Sequence, residues 1–263
     1  MFHALYTAAS GMTAQQINLD NIANNLANSS TTGFQGRRVQ FSDLLYQNDV
    51  MPGAVATLQT TVAAGLQVGL GTRFTNTEIV QTQGDLSSTG NPLDFAIQGT
   101  GFFQILLPNG TTGYTRAGSF QLDANGNIVD PNGNALQPQI TLPAAAQAIT
   151  IATDGTVSYT LPGQNAAQTA GQITLANFQN PAGLNSIGQS YYLPTDASGA
   201  ALVGVPGGTD GIGTILQGYV EQSNVSVVDE FINLISRQRA YEANSKVVKA
   251  ADDMYSQVNN LTR

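Results

Sequence analysis

The chain has 263 residues, 41 % of them apolar and only 10 % charged, with a net charge of −8. That is too little charge for disorder by repulsion, and the length allows one large or two ordinary domains. Between Arg73 and Arg237 the only base is Arg116 against eleven acids, and the chain has no Cys and no long apolar run. This disfavours a phosphate-neutralising nucleic-acid binder and docking on an anionic membrane, leaves no apolar run for a spanning helix, and excludes a disulfide framework and a thiolate metal site.

Residues 1–28 are expected to form one helix. Phe2, Leu5, Ala9, Met12, Leu19, Ala23 and Leu26 recur at spacings of three and four, with Gln16 in the one polar slot. They make a narrow seam that fits another helix. Its flanks are amides, Gln15, Asn18, Asn21, Asn24, Asn25 and Asn28, which donate and accept hydrogen bonds without fixing a charge sign. The cluster Ser29-Ser-Thr-Thr-Gly33 ends this helix. Residues 46–71 are polar and rich in Gly, Ala and Thr, with a turn at Pro52-Gly53 and alternation in Leu66-Gln-Val68, which reads as a surface loop with a hairpin.

From about Thr75 to Gly218 short strands alternate with turn signals. The strands are expected at 95–97, 102–107, 111–116, 120–123, 128–129, 149–153, 156–161, 173–178 and 191–194. Asn109-Gly110, Asn125-Gly126, Asn132-Gly133 and Asp154-Gly155 read as hairpin turns, because these pairs accept positive φ. Regular spacing predicts a compact all-β domain. Gly204 to Gly213 reads as the return path from it, and Gly218 to Asn224 as a junction.

Ser226 to Leu261 contains no Gly and no Pro. Ser226 suits an N-cap, Asp229 and Glu230 complement the helix dipole, and Ala243, Val247, Ala251, Met254, Val258 and Leu261 form a second seam. A two-helix pair leaves Val228, Phe231, Ile232, Ile235, Tyr241, Val248 and Tyr255 uncovered, which implies other subunits. The expected fold class is α+β: a discontinuous coiled-coil domain from both termini (1–34 plus 220–263), an extended linker and hairpin (35–74), and an inserted β-rich domain (75–219).

Candidate chemistry is sparse. His3 is the only histidine and stands at the tip of the first helix, so no Ser/His/Asp site can be assembled within the β region. Asp123-Ala-Asn-Gly-Asn127 has oxygens spaced like a calcium loop, but Ile128 and Asn134 occupy the positions that demand Gly and Glu; a hairpin turn is expected there. Gly69-Leu-Gly71 and Gly211-Ile-Gly213 lack the third Gly of a dinucleotide loop. Asp252 and Asp253 point about 100° apart on a helix and cannot share a substrate. No catalytic site, cofactor or metal is expected.

Three ordered stretches carry a family resemblance. Asn21-Ile-Ala-Asn-Asn-Leu-Ala-Asn28 with Ser29-Ser-Thr-Thr-Gly-Phe34, then Leu93-Asp-Phe-Ala-Ile-Gln-Gly-Thr-Gly-Phe-Phe103, then Glu221-Gln-Ser-Asn-Val225 with Arg237-Gln-Arg-Ala-Tyr-Glu-Ala-Asn244, resemble the motifs of the rod and hook proteins of the bacterial flagellum. Asn21, Asn24, Asn25, Asn28, Gly33, Phe34, Ser223, Asn224 and Val225 are the matching motif residues. Within that family the length, the segment Leu45 to Gly71 and Thr112-Gly-Tyr-Thr-Arg-Ala-Gly-Ser-Phe120 are most similar to the distal rod branch. The resemblance implies a non-enzymatic, self-assembling subunit of the basal body, built into a periplasm-spanning tube that carries torque to the hook and encloses the export channel. It implies as partners further copies of itself, proximal rod proteins, the hook protein, the surrounding P and L ring proteins and the flagellar type III export apparatus. The first 36 residues hold no Lys or Arg, which argues against a cleaved secretory peptide. The same resemblance implies that the long segment after the first helix packs against adjacent subunits. A proximal rod or hook paralogue, and a secreted β-rich binding or carbohydrate-active protein, remain the alternatives at this point; the second would need a cleft with aromatic platforms or two spaced carboxylates, and the chain has no Trp.

Overall fold

The computed structural model describes residues 2–51, 55–57, 60–61, 64–163, 166–208 and 211–261. The Pro52-Gly53 turn and the seam side chains of Phe2 and Leu261 lie outside the described residues. Contacts divide the chain into unit 1 (1–26, 37–78 and 226–263) and unit 2 (27–36 and 79–225).

Unit 1 holds two long helices, α1 (Phe2–Ala27) and α2 (Val227–Leu261). α2 starts where its cap demands: the Ser226 carbonyl accepts the Glu230 amide at 3.0 Å and its hydroxyl accepts the Asp229 amide at 3.4 Å. Between the helices in sequence come β1 (Arg37–Asp43), β2 (Tyr46–Val50), β3 (Val55–Thr57), β4 (Thr60–Thr61), β5 (Leu66–Gly69) and β6 (Thr72–Ile79). β1 pairs with β6, β2 antiparallel with β5, and β3 with β4, so strands β2 to β5 nest as a hairpin arm. Every residue of β2 is exposed, and so are Leu45, Met51, Leu66 and Val68. A two-stranded ribbon this bare gains little from its own packing.

Unit 2 carries β7 (Leu86–Ser88), β8 (Phe95–Gln98), β9 (Phe102–Leu106), β10 (Thr112–Thr115), β11 (Gln121–Leu122), β12 (Ile128–Val129), β13 (Ala135–Gln137), β14 (Ala148–Ile151), β15 (Thr156–Thr160), β16 (Gln168–Gln172), β17 (Leu175–Asn177), β18 (Asn185–Gly188), β19 (Tyr191–Leu193), β20 (Leu202–Gly204), β21 (Thr214–Gln217) and β22 (Tyr219–Glu221). Its nine-stranded sheet runs β11-β12-β13-β9-β10-β19-β18, with β17 on the free stretch of β9 and β20 beyond it. β14, β15 and β16 form a second sheet, and β8-β21 and β7-β22 are two-stranded ribbons. The four expected turns are present, each with its Gly at φ between 80° and 86°.

β9 is the axis of this unit, pairing with β10 along one edge and with β13 and β17 along the other. Its side chains alternate between two cores. Phe103 and Ile105 join Phe95, Phe120, Leu136 and Ile215, with the Phe95 and Phe120 rings stacked at 4.5 Å. Phe102 faces the other way, onto Tyr114, Phe178 and Tyr192. Each such fully buried side chain contributes on the order of 1.5–3 kcal/mol.

Candidate functional site: a polar clasp and the helix faces

Gly33, Phe34 and Asn224 of the family motifs come together in unit 2 beside one buried carboxylate. Glu221 ends β22 and is completely buried. Arg116 donates to its Oε2 at 3.0 Å, while the Gly84 amide and the Gln35 amide side chain donate to Oε1 at 3.1 and 3.2 Å. Arg116 spends its other terminal nitrogen on the Gly99 carbonyl at 2.9 Å, and its guanidinium lies 5.5 Å from the centre of the Phe102 ring. The lone base of the middle region is therefore an internal counter-ion, which is how so apolar a core tolerates a carboxylate.

Asn224 ties the same chain segments through their backbones. Its Oδ1 accepts the Gly36 amide at 2.7 Å, and its Nδ2 lies within 2.8–3.1 Å of the carbonyls of Val80 and Thr82, the Thr82 hydroxyl and Gln35 Oε1. Val80 in turn donates to the Gly36 carbonyl, and Asn224 to that of Phe34. Segments 33–36, 80–84 and 221–224 are thus bound to one another at one place, and three of the four chain crossings between the units start there. Gly33 sits at φ 66° with its amide on the Glu221 carbonyl, and an added Cβ would stand 2.3 Å from the Ala117 nitrogen. A side chain there has neither the backbone region nor the space. Ser223 accepts the Val225 amide, and the Asn28 side chain accepts the Thr31 hydroxyl.

In unit 1 the amides expected on the helix flank do bind neighbours. Asn25 is buried, accepts the Arg37 amide at 3.0 Å and donates to the Arg37 carbonyl and to Glu230 on α2 at 2.9 and 2.8 Å; Asn21 donates to the same carbonyl at 2.7 Å. A Cβ on Gly11 would stand 2.9 Å from the Asn244 amide. Residue 25 thus meets 230, and 11 meets 244. Fourteen positions back on α1 match fourteen forward on α2, so the helices run antiparallel along about 21 Å.

The close pairs of that contact, Asn25 with Glu230 and Gly11 with Asn244, are not seam residues, while Ala251 of the second seam is buried. Ala8, Ala14, Ile22 and Asn25 are buried on α1, and Ala251 on α2. Leu5, Met12, Leu19 and Leu26 are half-buried and Ala9 and Ala23 exposed. On α2 Val247, Met254 and Val258 stay 47–48 % exposed, whereas Val248 and Tyr255 are half-buried. Asn24 is exposed and Phe34 half-buried. His3, Asp252 and Asp253 are exposed, and Asp123 sits in its hairpin turn beside Asn125. Among the described residues no three His, Asp or Glu side chains are gathered as a metal site would need.

The arm is rooted on α1 at Gly71, whose φ is 111° and whose Cβ, if present, would stand 2.2 Å from the Ser10 hydroxyl that accepts the Thr72 amide. Gly71→Ala is expected to cost about 1–3 kcal/mol and to loosen the arm. Urea unfolding with limited proteolysis at residues 45–71 measures this, and an unshifted midpoint with unchanged cleavage would contradict it.

The chain matches three families in the order of its motifs: "Flagella basal body rod protein" over residues 5–35, "Flagellar hook protein FlgE/F/G D1 domain" over 96–159, and "Flagellar basal body rod FlgEFG protein C-terminal" over 216–261. It is 48 % identical to the flagellar basal-body rod protein FlgG of Caulobacter vibrioides across 98 % of each chain. It is 46 % identical to that of Buchnera aphidicola from Acyrthosiphon pisum, over 99 % of this chain and all of the other, and 45 % to that of Borreliella burgdorferi over the whole of both. Gln35, Glu221 and Asn224 of the clasp and Gly11, Asn25, Glu230 and Asn244 of the helix junction fall in the two matched regions at the ends of the chain, Arg116 falls in the middle one, and the chain belongs to the FlgG family of flagellar basal-body rod proteins.

Proposed function

We propose that this protein is a structural subunit of the distal rod of the bacterial flagellar basal body and works by polymerising. Full-length similarity to the FlgG proteins carries the reading. In the finer form, copies join head to tail into a helical tube that encloses the export channel and carries torque from motor to hook, with no turnover. Contacts whose rotation does not close generate such a filament. The terminal helices (1–34 plus 220–263) form its coiled-coil core, 35–74 its extension and 75–219 an outer domain. The half-exposed seam of α1, from Leu5 to Leu26, and the exposed Val247 and Met254 of α2 support this, since one chain leaves them uncovered. Proximal rod, hook and P and L ring proteins are the proposed neighbours, reached through the flagellar export apparatus. No helix among the described residues is long and apolar enough to cross a membrane.

The exposed arm supports a stiffening role, because its apolar residues find cover only on adjacent subunits. Replacing residues 45–71 by a short Gly/Ser linker is expected to leave the two helices and unit 2 folded, to permit polymers, and to make them flexible. Electron microscopy of the polymers and motility of a strain lacking its own distal rod protein measure this. Straight, rigid polymers from the armless chain would remove the arm from the proposal, and failure of the intact chain to form rods or restore motility would remove the proposal itself.

A further inference from the structure

Unit 1 carries two unmatched surfaces. One is a groove of about 350 Å³ between α1 and β6, walled by Tyr6, Thr13, Ile17, Thr72 and Phe74 with Arg73 at its rim. Tyr6 and Phe74 are 60 % and 44 % exposed. Arg73 is exposed and donates through Nε to the Ser42 hydroxyl, while the two ion pairs of the described residues are Arg38–Glu78 and Arg116–Glu221. The other surface is a stripe on α2, Val228, Phe231, Ile232 and Ile235, 49–68 % exposed. At about 100° per residue these four centre roughly 150° around α2 from Glu230, on the side turned away from α1. Asp229 flanks the stripe and is exposed.

We infer that the α2 stripe of one chain docks in the α1/β6 groove of a second copy, with Asp229 set against Arg73. This rests on the reading of the chain as a polymer subunit and names the surfaces that meet. The antiparallel register forbids the contact within one chain. Residues 228–235 lie level with positions 20–27 of α1, about a dozen residues, or roughly 18 Å, from the middle of the groove, and they face the other way. The occupant must come from another molecule, and the chain itself supplies an apolar ridge carrying the charge opposite to that of the rim. Because groove and stripe are different surfaces, the contact is heterologous and propagates.

Charge reversal tests it. Arg73→Glu and Asp229→Arg each place like charges together, so each alone is expected to raise the concentration needed for polymerisation by at least about tenfold. An equimolar mixture of the two restores it, since each then finds its complement only on the other. Either variant polymerising like the parent, or a mixture no better than its components, overturns the inference while leaving the rod reading intact. A second measurement needs no filament. The chain has no Cys, so Phe74→Cys and Ile232→Cys chains mixed under mild oxidation are expected to give a mixed disulfide dimer well above either homodimer. Absence of that dimer overturns the docking and assigns the groove to a different partner. Its presence without rods supports the docking and counts against the rod.

Discussion

Glu221→Ala is expected to be among the most destabilising single substitutions in unit 2, at about 3–5 kcal/mol, because it strands a buried guanidinium. Arg116 is 7 % exposed at its side chain, and among the described residues Glu221 is the carboxylate paired with it. Gln35 and Gly84 lose their acceptor at the same time. Glu221→Gln keeps the shape and one acceptor but puts an amide against two or three donors, so it should fall between parent and Ala. The double change Arg116→Met with Glu221→Gln removes both charges and should recover part of the loss, as pairs of buried charges often contribute little net stability. Chemical denaturation of the purified chain, followed through the tyrosines of unit 2, reads the series. A midpoint for Glu221→Ala within experimental scatter of the parent would show that the pair is not what holds segments 33–36, 80–84 and 221–224 together.

How far the sequence carried the fold depends on the physical signal. Nine strands and four hairpin turns were readable because Asn-Gly and Asp-Gly mark the turns while buried strands such as β9 are apolar on both faces. β16 (Gln168–Gln172), β18 (Asn185–Gly188) and β7 are polar or short and have no such pattern. β21 falls between the stretch that reads as a return path, Gly204 to Gly213, and the junction at Gly218, where four residues among glycines carry no strand pattern, yet Ile215 is fully buried and pairs with Ile97. β1 and β6 were missed because strands solvated on one or both faces, with Arg37, Arg38, Thr75 and Asn76, do not alternate cleanly. The clasp was half legible. Arg116 stood out as the only base in its region, but its partner lies 105 residues away, and no local spacing says which of eleven acids that is. The contact between the helices was illegible for another reason: Gly11, Asn25, Glu230 and Asn244 meet there, and a search for apolar periodicity passes over glycine and amides. The same search found the large apolar residues of both seams, most of which one chain leaves partly uncovered.

Leu19→Asp probes that uncovered seam and is expected to abolish assembly while the monomer survives. Leu19 is half-buried and lies about 120° around α1 from Asn25, away from both the α2 contact and the β6 groove. In the isolated chain a carboxylate there can reach water, so the cost to folding is small. In a packed helical interface it cannot, and an unpaired buried carboxylate costs several kcal/mol. A filament repeats that cost at every subunit, so even a modest share per contact prevents growth. Asp20→Asn, one position further round on an exposed site, removes a charge without entering the seam and should assemble as the parent does. Circular dichroism of the monomers and electron microscopy of polymerised samples separate the two effects. Parent-like helix content without rods from Leu19→Asp, beside normal rods from Asp20→Asn, is the expected pair of results. Normal rods from Leu19→Asp would mean that this face of α1 is not an assembly surface, whereas lost helix content would place Leu19 in the packing of the monomer.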